Sequence, residues 1–164
     1  GGQFDPSLTW DDVDWVRSIW PGKLVIKGLL DERDAREAVE RGADAIVVSN
    51  HGGRQLDGAS SSIAALPGIV QAVGGATEVL FDGGIRSGQD ILKALALGAK
   101  ACMIGRAYLY ALASGGQSRV EEMLGLLGKE LDTSMALTGV HDVKTVSPET
   151  LLRRSDGSLV GHDH

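Results

Sequence analysis

The sequence predicts an α/β fold built on a parallel sheet, and three observations carry that prediction. Four short, almost continuous apolar runs recur: KLVIK (23–27), DAIVVS (44–49), EVLFD (78–82) and ACMIG (101–105). Runs of about five residues with this character read as strands covered on both faces. Helical patterns separate them, so the order strand then helix is repeated four times. Polar caps and glycines punctuate the joins, which leaves only short loops. Such βα repetition implies parallel strands joined by crossover helices. Two architectures satisfy it, a doubly wound open sheet and a (β/α)8 TIM barrel or part of one. Strand starts near 23, 45, 78 and 101 favour the barrel type. A closed eight-stranded barrel takes about 250 residues. A chain of 164 residues therefore holds about four βα units, a half-barrel with C-terminal helices and two open sheet edges.

Each element has its own signal. SLTWDDVDWVRSIWPG begins with Ser7 or Thr9 as a cap, carries Val13, Val16 and Ile19, and stops at Pro21. The tryptophans Trp10, Trp15 and Trp20 fall five apart and are expected to be packing residues. DERDAREAVERGA places Ala35, Ala38 and Val39 on one face, with Asp31 as N-cap and Gly42 as the stop. SSSIAALPGIVQAVGG and SGQDILKALALGA repeat the scheme, with Ser87 and Gly98 in the corresponding roles of the second. After the fourth strand come AYLYALASGG and a longer helix in which Val120, Met123, Leu124, Leu127, Leu131 and Met135 follow helical spacing and are expected in the core. The polar tail, residues 153–164, is expected to be flexible. Its His162 and His164 have no third ligand near them in sequence, so no metal site is expected.

Composition narrows the function. With 43% hydrophobic residues and a net charge of −6, the chain reads as a soluble globular domain with no basic surplus for nucleic acid. No apolar run reaches the roughly 18 residues needed to span a bilayer. No leader peptide is visible, and the opening GGQFDP suggests that residue 1 is not a natural start. The single cysteine, Cys102, lies in an apolar run and is expected to be a small buried hydrophobe.

In parallel βα folds, chemistry gathers at the C-terminal ends of the strands. Each strand end here carries a polar or glycine-rich element. Lys27-Gly28 follows the first run and SNHGGRQLD (49–57) the second. DGGIRSG (82–88) follows the third, and Gly105-Arg106 the fourth. The last two resemble a phosphate cradle, because glycines let backbone N–H groups approach an anion and a following helix start adds partial positive charge. Arg86 and Arg106 can add forked, charge-assisted hydrogen bonds. The bland alternative is that these glycines only make tight turns and the arginines are solvated. Lys27 can sit beside an electron-rich ring, or be an ordinary surface lysine. His51 is the candidate base, since an imidazole titrates near neutrality. Arg54 is the candidate carboxylate clamp. Asp57 can orient an arginine or cap a helix.

Together VIKG, SNHGGRQLDG, DGGIRSGQDILKALALGA and IGRAYLYALASGG closely resemble the C-terminal half of the FMN-dependent L-2-hydroxy-acid dehydrogenase and oxidase family. That family includes lactate dehydrogenases, mandelate dehydrogenase, glycolate oxidase and flavocytochrome b2. The likeness runs from Phe4 to Leu152, and the domain is expected to occupy residues 1–152. The resemblance implies FMN as cofactor and oxidation of an L-2-hydroxy acid to the 2-oxo acid. It implies His51 as catalytic base and Arg54 as substrate-carboxylate ligand. It puts Lys27 at the N1/O2 edge of the flavin, with Ser49 nearby. It puts Asp82, Gly83, Gly84, Arg86, Gly105 and Arg106 at the ribityl phosphate end. It also implies a partner segment, the N-terminal half of the barrel, bringing further flavin contacts, a second arginine and an aspartate for the histidine. Relatives suggest a homotetramer and a cytoplasmic protein, or one peripheral to the inner face of the membrane. The alternative is a non-enzymatic FMN- or phosphate-binding half-barrel, inactive without its complement.

Overall fold

A computed structural model describes residues 7–151. The predicted tail, 153–164, with His162 and His164, lies outside the described residues. Four parallel strands, β1 (Val25–Leu29), β2 (Ala45–Ser49), β3 (Glu78–Asp82) and β4 (Ala101–Met103), form one sheet in the order β1-β2-β3-β4. Helix α1 (Trp10–Ile19) precedes the sheet. Helices α2 (Glu32–Glu40), α3 (Ser62–Val73) and α4 (Gly88–Ala96) make the crossovers. Helix α5 (Arg106–Leu137) follows β4 and is broken where Gly116 takes φ 71° and ψ −151°. The break separates AYLYALASG from the longer amphipathic stretch, as the sequence spacing predicts.

Consecutive strands are neighbours because each crossover is short and same-handed connections advance the sheet in one direction. That order is the barrel pattern, and it decides against the doubly wound alternative, whose strand order reverses. Caps fix where the helices begin. The Asp31 side chain accepts from Arg33 N, Ser61 from Ala64 N, and Ser87 and Asp90 form a reciprocal capping box.

The two faces of the sheet differ. Ile46, Val48, Val79 and Phe81 point at the helices and meet Ala35, Leu66, Ile69 and Ala94 in one buried core. The opposite face carries Val25, Leu80, Ala101 and Met103, of which all but Leu80 are exposed. Only β2 is buried along its whole length. The expectation that all four strands are covered on both faces is therefore corrected. β1 and β4 are sheet edges, and it is at these edges that the inner face is exposed.

Three further expectations change. β1 starts two residues later than KLVIK and runs through Gly28 into Leu29, because a bulge lets Leu29 join the core. Trp15 and Trp20 are exposed, since α1 buries none of its residues; only Trp10 packs on the core, from its margin. In α5, Leu127 and Met135 are buried, but Leu124 is half exposed, because α5 packs mainly on α4 and only the face turned toward it is covered.

Candidate functional site

The C-terminal rim of the sheet opens into a cleft of about 1130 Å³. Small-molecule sites usually span about 300–1,000 Å³. Of the residues singled out from the sequence, Lys27, His51, Arg54, Asp82, Gly83, Gly84, Arg86, Gly105 and Arg106 all line it. Strand register brings them together: Lys27 is paired with Val47, and Ser49 with Asp82, which is paired in turn with Met103. Side chains of alternate residues then point to one face at the strand ends.

Ser49 lies beneath this cleft and is fully buried. Its hydroxyl donates to Asp82 Oδ2 and accepts from Lys27 Nζ at 3.0 Å and from the His51 backbone N–H at 3.1 Å. Lys27 Nζ also reaches Asp82 Oδ2 at 2.7 Å. Burial opposes the charge on Asp82 and is the largest single influence. Hydrogen bonds from Lys27 and Ser49, with the Lys27 charge, outweigh it and hold the carboxyl below its usual value. Asp82 thus sits against Lys27, and Gly83 and Gly84 line the cleft beside it.

The His51 loop is a single tight 3-10 turn, His51–Gly53. Asn50 Oδ1 accepts from Gly52 N at 3.0 Å, and Gly53 N donates to Asn50 O. His51 itself takes φ 54°, the one positive φ outside glycine among the described residues. The turn lifts the imidazole off β2 into the cleft. Arg106 donates to Gly52 O and ties this turn to the start of α5. The side chain of Arg54 is exposed at the same cleft. Asp57 caps no helix; Ser61 does that for α3.

The two helix starts at the rim differ. At α4 the amides are taken: Asp90 accepts from Arg86 N and Ser87 N, and Glu130 Oε2 accepts from Gly88 N at 2.8 Å. Carboxylates there make a poor place for a phosphate. At α5, Gly105 is the N-cap and no side chain caps it. A Cβ built on Gly84 or on Gly105 would meet nothing within 4 Å, so both open onto free space. Of the two helix starts that follow the glycine elements, only that of α5 is free of carboxylates, and Gly83 and Gly84 line the same cleft. Met103, Tyr108 and Leu109, not singled out from the sequence, also line the cleft. Met103 closes β4 and Tyr108 and Leu109 lie in the first turn of α5, so their only signal was nearness to the fourth strand end.

The family model described as "FMN-dependent dehydrogenase" matches residues 1–153. The chain belongs to this family. It is 54% identical over 153 residues to an L-lactate dehydrogenase of Alcaligenes faecalis, covering 93% of this chain and 40% of that protein. An L-lactate dehydrogenase of Xanthomonas euvesicatoria pv. vesicatoria is 55% identical over 153 residues, covering 93% of this chain and 39% of that protein. A mandelate oxidase structure with benzoyl-formic acid superposes with a TM-score of 0.82 at 52% identity, over 85% of this chain and 42% of that one. A mandelate oxidase variant holding a monooxide FMN adduct gives 0.83 at 51% identity, over 88% of this chain and 46% of that one. The chain thus spans about two-fifths of the length of the curated relatives it matches. For this family, the cleft fits a flavin mononucleotide in kind: open glycines, an uncapped helix start and a lysine all line it.

Among the described residues no set of three His, Cys, Asp or Glu is grouped to hold a metal ion. No helix among them is long and apolar enough to cross a membrane. Burial pushes the Cys102 thiol up to about 12, with the Asp90 charge adding to it. The half-buried thiol is therefore unreactive, close to the sequence expectation.

Proposed function

We propose that this chain is the C-terminal half, over residues 1–152, of an FMN-dependent enzyme that oxidises an L-2-hydroxy acid to the 2-oxo acid. The observation that carries the reading is the convergence of His51, Arg54, Lys27 and the glycine cradle on one cleft. FMN, when bound, supplies the two-electron acceptor. Gly83, Gly84, Gly105, Arg86 and Arg106 hold its phosphate end, and Lys27, steadied by Asp82 and Ser49, faces the N1/O2 edge of its ring. Arg54 takes the substrate carboxylate through its paired N–H donors. His51 would accept one proton from the hydroxy acid, and the remaining hydrogen and both electrons would pass to FMN, which leaves the 2-oxo acid. Holding acid and base side by side supplies much of the rate enhancement by proximity.

The N-terminal half of the barrel, as a preceding or separate segment, covers the inner face and completes the substrate pocket. The assembled protein is a homotetramer in the cytoplasm or at the inner face of the membrane. A titration of this chain with FMN, followed by quenching of flavin fluorescence, is expected to saturate. Turnover of lactate, mandelate or glycolate with a dye acceptor is expected only when the N-terminal half is present. His51→Ala is expected to abolish that turnover and spare FMN binding. Flavin binding without turnover in the assembled protein would instead support a non-enzymatic FMN-binding half-barrel, and turnover that survives His51→Ala would remove His51 as the base.

A further inference from the structure

The candidate base has no hydrogen bond to either ring nitrogen among the described residues, so what this chain itself contributes to the position of the ring is packing. The packing partner is a backbone. In β1 the register runs Lys27 to Val47 and then Leu29 to Val48, which leaves Gly28 as an extra residue in a bulge. In a regular strand, Lys27 and Leu29 would share a face. The bulge sends Lys27 to the rim and Leu29 into the helix-covered core. It also turns Gly28 to φ +102°, a conformation that L side chains rarely adopt.

A Cβ built on Gly28 would lie 2.4 Å from His51 Cε1, 3.2 Å from Nε2 and 3.4 Å from Nδ1. All three contacts are with one imidazole. The ring therefore occupies the space that any side chain at position 28 would need.

We propose that Gly28 is a positioning residue for His51: its bare backbone forms the seat of the imidazole and sets where the ring stands in the cleft. The proposal rests on the assignment of His51 as the base, but the packing claim can be tested without it. Because His51 is exposed, a methyl group at position 28 is relieved by the ring swinging away. The backbone strain at position 28 is a separate effect. Gly42 provides the control, since it has φ +77° and a built Cβ there meets only Arg17 Cδ, at 3.6 Å.

The experiment is NMR on the isotopically labelled 164-residue chain, with His141 as internal reference. A nuclear Overhauser contact between Gly28 Hα and His51 Hε1 is expected in the unsubstituted protein, and its absence overturns the proposal. Gly28→Ala is expected to move the His51 Cε1–Hε1 cross-peak and leave that of His141 in place, while Gly42→Ala moves neither. An unmoved His51 peak in a folded Gly28→Ala protein overturns it. If Gly28→Ala does not fold, the contact in the unsubstituted protein decides. In the assembled holoenzyme, Gly28→Ala is expected to lower kcat by about 100-fold, as misplacing a reacting group by about an ångström does, with FMN affinity held within about threefold. An unchanged kcat refutes the positioning role. A kcat insensitive to His51→Ala refutes instead the assignment of the base and leaves the packing contact standing.

Discussion

The helix-covered face of the sheet and its inner face obey different rules. On the covered face, Phe81 is 1% exposed and touches residues from several helices. On the inner face, one residue earlier in the same strand, Leu80 is only partly buried. The covered face is a finished core. The inner face and the rim above it are finished only toward the cleft, where Lys27, Ser49 and Asp82 satisfy one another. Stability is therefore concentrated on one side of the sheet and chemistry on the rim of the other.

The largest expected effect tests the covered face. Phe81→Ala should cost about 3–5 kcal/mol in urea unfolding, from lost burial and a cavity that α3 and α4 cannot fill. Leu80→Ala should cost less than half as much, because its side chain is already partly in water. Equal losses would break the distinction between the faces.

The two helix starts sharpen the contrast at the rim. Ser87→Ala removes the α4 cap and should lower stability by about 1 kcal/mol. It should leave phosphate binding unchanged, because the α4 amides already have carboxylate partners. Inorganic phosphate should shift the amide resonances of residues 83–84 and 105–107 and not those of 87–89. Shifts confined to 87–89 would move the cradle to α4.

Acid should act most gently, through one carboxylate before the start of β2 and one at the end of β3. The Lys23 hydrogen bond, with that of Leu24 N, holds the Asp44 carboxyl at about 2, below its ordinary 3.8. Asp82 is also lowered. A carboxyl lowered by folding stabilises the fold above its unfolded value, and that contribution fades as pH falls through the folded value. Melting temperature should therefore hold above about pH 4 and fall progressively toward pH 2. Asp44→Asn should be less stable at pH 7 and lose less on acidification. A steeper fall for Asp44→Asn would contradict the assignment.

Much of the fold could be read from the residues. Alternation of five-residue apolar runs with capped amphipathic helices is a local signal, and Asp31, Ser87 and Thr9 cap where the spacing placed them. The strand-end rule alone groups Lys27, His51, Arg54 and the glycine loops, which line one cleft, because parallel strands point their C-terminal ends the same way. What escaped was non-local. Nothing in DGGIRSG indicates that Glu130, more than forty residues on, accepts from Gly88 N and closes that helix start. Periodicity marked Leu124 and Trp15 as apolar but could not say which neighbour was there to cover them.

The sequence by itself determined the element order, the parallel sheet and the chemical types at the rim, since these follow from periodicity, caps and the position of polar residues after apolar runs. Only the tertiary structure decided that Asp82 belongs to Lys27, that α5 rather than α4 offers its amides, and that the His51 ring rests on Gly28. Those are contacts between segments far apart in the chain, fixed by strand register and by a bulge. No local preference encodes where a distant side chain will arrive.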